Sequence, residues 1–245
     1  MMTHLLRGTA LCGALLATLP ATAQQFAGGQ VDLDYNSFRD SDISSLTARG
    51  SGELAFSRNL SLQGDVALSS SDNSGISNDA TGFTLHGVYH VSPVSSVGTF
   101  FTIESSDGGA DYSSLGVEVG GNFGTVGTEL WFAVAEAGDS DVNGRYGGID
   151  VRVPMGSAAF VSKFQYFNFE DQIEVARLGL GAEYTFDSVL SVTAMVEGNA
   201  YKVTDSTGTF SITDDDSSIR LGATYRFGKR PGTVFGSRSV FDAFR

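Results

Sequence analysis

His86 and His90 are the first residues to question for chemistry, being the two histidines beyond the N-terminal His4 in a chain of 245 residues. An imidazole can hold a metal or serve as a base, and either role needs a partner at close range. The two share one face of an alternating segment, and four strand positions separate them by about 13 Å, too far to share one ion. A lipid-facing hydrolase would need a serine nucleophile beside its histidine base. Ser92 stands two positions after His90, but both histidines fall on the polar face of their segment, away from the side that would meet lipid. Residues 139–150, DSDVNGRYGGID, place Asp139, Asp141, Asn143, Gly144 and Asp150 at positions one, three, five, six and twelve of a calcium loop. Flanking helices are missing and aspartate stands at position twelve where glutamate is usual, so a plain turn accounts for the same residues. The expectation is no catalytic residue, no metal and no cofactor.

A larger constellation is ionic. Asp32, Asp34, Glu53, Asp65, Glu104, Glu118, Glu129, Asp150, Glu183 and Glu197 share their alternation phase with Arg49, Arg152, Lys163, Arg177, Arg220 and Arg226, and with both histidines. Charges in that phase would each cost a few kcal/mol against lipid and would need pairing in a dry core. A wet lumen avoids both penalties. Ten acids against six bases then lean toward cations; the alternative is a closed, salt-bridged interior.

The elements that must position these charges are strands. Period-2 alternation marks twelve segments: 30–37, 45–56, 60–69, 82–91, 96–104, 113–123, 125–135, 145–153, 157–167, 175–186, 190–201 and 217–227. Phe167 breaks the pattern of the ninth. Links after odd segments are polar and longer, as in 70–81 and 203–216; those after even segments are tight, as at Ser92-Pro93-Val94. A closed up-and-down transmembrane β-barrel has this asymmetry, whereas a soluble sandwich gives no reason for it. The fold class is all-β, a closed antiparallel barrel of twelve strands; ten or fourteen fit the same length. Aromatics on the apolar phase gather at the tight-turn end: Phe56, Tyr89, Phe123, Tyr184, Phe186, Tyr225 and Phe227, with Tyr35, Phe83 and Tyr166 at the other.

Residues 1–23 read as a secretory signal: Arg7, then the apolar run Ala10–Leu19, then Ala21-Thr22-Ala23. The run is too short to span a bilayer, and cleavage after Ala23 would remove Cys12, the one cysteine. The mature charge would be (15 − 1) − 28 = −14, which disfavours nucleic acid. Residues 24–227 form the barrel. Residues 228–245, GKRPGTVFGSRSVFDAFR, make a basic tail, periplasmic or luminal; in the lumen it would act as a plug.

The last segment, SSIRLGATYRF, carries Arg220, Gly222, Tyr225 and Phe227 at polar–x–Gly–x–x–aromatic–x–aromatic spacing. It resembles the terminal-strand assembly signal of Gram-negative outer-membrane β-barrels, and the whole pattern is similar to small porin-like members of that group. The resemblance implies passive diffusion of small hydrophilic solutes and an outer-membrane location. It also implies contact with lipid, lipopolysaccharide and the barrel-assembly machinery. A non-conducting structural or surface-interaction barrel is the alternative, and an enzyme such as a phospholipase a distant third. The expected pore lining is Arg49, Glu53, Asp65, His86, His90, Glu104, Glu118, Glu129, Arg152, Lys163, Arg177, Glu183, Glu197, Arg220 and Arg226. Arg220 and Arg226 are expected to pair with Asp34 and Asp32 across the seam. The oligomeric state is not legible.

Overall fold

The computed structural model describes residues 25–107, 111–138, 143–170, 172–204, 211–229 and 232–244. The proposed signal segment lies outside these residues, as do Asp139 and Asp141. Twelve strands follow in order: β1 (Gln25–Phe38), β2 (Ile43–Ala55), β3 (Leu60–Asn73), β4 (Ile76–Ser92), β5 (Ser95–Ser106), β6 (Asp111–Phe123), β7 (Val126–Ala137), β8 (Asn143–Met155), β9 (Ala158–Phe169), β10 (Ile173–Phe186), β11 (Leu190–Thr204) and β12 (Ser211–Gly228). Each pairs antiparallel with its sequence neighbours, and β1 pairs with β12 to close the barrel. Closure leaves no sheet edge with unpaired backbone, the condition for strands to lie in hydrocarbon.

Alternation sets the two faces. Leu33, Leu68, Leu115, Phe132, Leu180 and Leu221 are about half exposed, while Glu53, Asp65, His86 and Glu197 are buried. This inverts a soluble barrel and suits an apolar belt around a polar interior. Tyr89, Phe123, Tyr184, Phe186, Tyr225 and Phe227 are outward and exposed at the tight-turn end, joined by Phe26, which stacks on Phe227 at 5.9 Å. Leu180→Arg, at the middle of β10, is expected to cost about 2–4 kcal/mol at bilayer depth, read as a lower urea midpoint for unfolding from lipid vesicles.

Three expectations need correction. The polar stretches 70–81 and 203–216 are largely strand, not loop: only Ser74 and Gly75 separate β3 from β4, with Ser70 opposite Asp79. Ladder pairing needs backbone alone, so it continues where both faces meet water and the apolar alternation fades. Asn143 to Asp150 lie in β8, paired with β7 and β9. An extended ladder cannot wrap a cation, so the second half of the calcium spacing is strand. Phe167 does not break β9. It keeps the inward phase of Lys163 and Gln165 and is fully buried against Tyr146, rings stacked at 5.6 Å.

Candidate functional site

Inward phase brings the expected charges together inside the barrel, where they divide between two walls. On the first wall, β2 to β7, His86 lies between Asp65 at 2.8 Å and Glu118 at 2.7 Å. His90 meets Glu53 at 3.4 Å, with Ser61 at 3.0 Å from Nε2 and Ser96 at 2.9 Å from Nδ1. Serines therefore do reach a histidine, through cross-strand neighbours and not through a local motif. All four side chains are buried inside the barrel, away from the lipid face. On the second wall, β8 to β12, Glu183 takes Arg152 at 2.7 Å and Arg226 at 3.5 Å. Glu197 takes Arg220 at 3.2 Å and Arg177 at 3.9 Å. Lys163 stands directly opposite Asp150 in the β8–β9 register.

The seam pairing differs from expectation. Arg220 faces Asn36 and Arg226 faces Gln30 across β1–β12, and both guanidinium groups turn to the acids of β11 and β10 instead. Asp34 accepts from Arg49 at 2.7 Å and Asp32 from Thr224 at 2.7 Å. Gly222 sits opposite Asp34, and a Cβ there would come within 2.7 Å of the Asp34 carboxylate. The missing side chain is what admits that acid at the seam.

The C-terminal segment enters this interior. Gly228 ends β12 at φ 100° with its α-carbon face against Gly28, where a Cβ would lie 2.6 Å from the Gly28 Cα. Only glycine takes that conformation without strain at such an approach. Beyond it, Phe235, Arg238, Ser239, Val240 and Phe241 are buried. The segment takes a partner from each of six consecutive strands. Gln63 of β3 donates to the Phe235 carbonyl at 2.7 Å and accepts from its amide at 3.1 Å. Thr84 of β4 donates to the Arg238 carbonyl at 3.2 Å. Glu104 of β5 accepts from the Val240 amide at 2.6 Å, and Glu129 of β7 from the Gly236 amide at 3.0 Å. Arg238 donates to Glu118 of β6 at 3.0 Å and to Glu129, while Asp242 pairs with Arg49 of β2 at 3.0 Å.

Apolar contacts complete the seat. Phe235 stacks on His86 at 6.3 Å and lies over Gly98 and Gly120, where Cβ atoms would approach its ring to 2.9 and 3.1 Å. The Arg238 guanidinium rests over Trp131 at 4.9 Å and Phe100 at 5.8 Å. Val240 joins a buried cluster with Phe100, Trp131, Tyr146, Phe167, Phe169 and Val175. Such inward aromatics were legible only as exceptions to a polar phase. Gln63, Thr84 and the tail residues carried no motif.

The second wall is different. Asn36, Arg177 and Asn199 carry buried side-chain atoms without a hydrogen-bond partner among the described residues, namely Asn36 Nδ2 and Oδ1, Arg177 Nη1 and Nη2 and Asn199 Nδ2, and Arg220 Nε beside them meets Glu197 at 3.2 Å as an ion pair outside hydrogen-bond geometry. The four are contiguous. Asn36 is opposite Arg220 and Asn199 opposite Arg177, and Glu197 lies within ion-pair range of both arginines. Buried polar atoms unmatched by protein are ordinarily matched by water.

No family model and no curated protein matches this sequence. Solved structures do. A KdgM porin in complex with disordered oligogalacturonate aligns with 14% identity and a TM-score of 0.55, over 81% of this chain and 99% of its own. A NanC porin aligns with 9% identity and a TM-score of 0.57, over 80% of this chain and 100% of its own. The chain has the fold of a small porin. At these identities the likeness is one of architecture, and it covers the barrel from end to end in both relatives.

Proposed function

We propose that this protein is an outer-membrane, porin-like channel for passive diffusion of small hydrophilic solutes. The observation that carries the reading is the second wall. Its paired arginines and unmatched polar atoms line a barrel interior whose outer face is apolar, an arrangement stable when water runs along β9 to β12 and β1. Lipid and lipopolysaccharide would surround the outward belt, and the assembly machinery would read Arg220, Gly222, Tyr225 and Phe227, of which Tyr225 and Phe227 are exposed. The signal at 1–23 would be cleaved after Ala23 on export to the outer membrane.

Charge preference depends on the tail in this reading. With Arg238 drawn onto Glu118 and Glu129, the cations of the opposite wall are Arg152, Lys163, Arg177, Arg220 and Arg226. Clearing the tail would expose the acids of β2 to β7 and restore the cation lean expected from ten acids against six bases. Planar-bilayer recording tests both points. Wild-type protein is expected to give small steady channels. Deleting 229–245 is expected to raise conductance and shift the reversal potential in a salt gradient toward cation preference. A non-conducting structural barrel is the second reading, favoured by the contacts that fill the β2–β7 side. Silence from both proteins would establish it over the channel.

A further inference from the structure

We propose that the β2–β7 wall is a binding groove for peptides that carry an aromatic residue three positions before an arginine, and that the tail occupies it as an internal ligand. Two features distinguish a recognition groove from mere filling. First, the wall bonds to main chain. Gln63 closes a two-bond pair with the Phe235 backbone, and Glu129, Thr84 and Glu104 take the backbone of Gly236, Arg238 and Val240. Contacts of this kind accept any sequence that follows the same backbone path, and pockets for particular side chains supply the selectivity. Second, two such pockets exist. The Gly98–Gly120 floor under His86 takes the Phe235 ring. The Glu118–Glu129 pair, roofed by Trp131 and Phe100, takes the Arg238 guanidinium by charge-assisted hydrogen bonds and cation–π contact. The groove thereby names a solute class for the channel, short peptides bearing that aromatic–arginine pair. It rests on the porin reading for how a peptide arrives, and on the lumen geometry alone for how it binds.

A tethered ligand competes at an effective concentration on the order of millimolar, so a peptide added from outside must meet a weakened tail. The test uses the full chain carrying Phe235→Ser and Arg238→Ser, with Phe235→Ser alone as the milder variant should the double change fail to fold. Folding is checked by heat-modifiable mobility and tail release by trypsin cleavage. A fluorescent peptide of sequence 232–242, GTVFGSRSVFD, is titrated in detergent and read by anisotropy. Saturable binding is expected, at least tenfold tighter than to wild type. At least tenfold loss is expected for a peptide with serine at its Phe235 position or glutamate at its Arg238 position. Adding Glu118→Gln to the barrel should weaken binding similarly, and an acidic peptide of equal length should not compete. Equal binding of the arginine-bearing and acidic peptides, or none to a folded variant with its tail released, overturns the proposal. Bilayer currents separate it from the porin reading. Binding without channels would leave the groove and remove the channel, whereas channels without binding would remove the groove alone.

Discussion

Replacing Arg238 with glutamate is expected to release the C-terminal segment and raise single-channel conductance several-fold. The Arg238 side chain is 2% exposed and donates to both Glu118 and Glu129. Breaking a buried ion pair costs about 3–5 kcal/mol, because the remaining charge loses its partner. Glutamate at this position does more, placing a third carboxylate against two. The cheapest relief is withdrawal of the segment, since the barrel is closed by its own ladder and Glu118 and Glu129 would then meet water. Trp131, the one tryptophan in the chain, lies under the guanidinium, so its emission should shift to the red as the segment leaves. Arg238→Lys keeps the charge but loses the planar fork and the stacking, and should fall between the two. Unchanged conductance and emission in the glutamate variant would show that the segment does not obstruct the lumen.

His86→Leu is expected to be the most destabilising single change in the barrel wall, by about 3–5 kcal/mol. The imidazole, the Asp65 carboxylate and the Glu118 carboxylate are all fully buried, and each ring nitrogen faces a carboxylate oxygen. Leucine leaves two desolvated acids, one on β3 and one on β6, with their shared donor gone. Gln63 still reaches Asp65 at 3.0 Å and Arg238 still reaches Glu118, so the loss should be partial, not unfolding outright. His86→Gln retains donor capacity and should cost clearly less. Urea unfolding from lipid vesicles, followed by Trp131 fluorescence, measures both. An unchanged midpoint for His86→Leu would mean that water or rearranged side chains satisfy the two acids, and that the wall is wetter than its burial indicates. The two variants also separate the wall from its occupant, since Arg238→Glu acts on the segment and His86→Leu acts beneath it.

Much of the fold is determined by the sequence alone, because a transmembrane barrel writes its architecture into a period of two. Leu178, Leu180 and Tyr184 against Arg177, Gly179 and Glu183 already state which side of β10 meets lipid, and the structure places all six accordingly. Closure follows from the same pattern, since an even set of alternating segments in a bilayer has no stable open form, while the count of twelve over ten or fourteen was decided by the strand pairing. The pattern fails where water lies on both faces. The hairpin at Ser74-Gly75 and the upper part of β12 are paired strand without an apolar side.

The tertiary structure alone decided which charges meet. Alternation gives a residue its face but not its height, so Arg220 could turn to Asp34 across the seam or to Glu197 on β11, and cross-strand register chose Glu197. It also decided the fate of the tail. Nothing local in GTVFGSRSVFD specifies a conformation. Its path comes from one partner on each of six strands, from Arg49 to Glu129, and these face one segment only once the sheet has curled into a barrel. Alternation is a local property of the backbone and survives in one dimension; a binding surface assembled from six strands exists only in three.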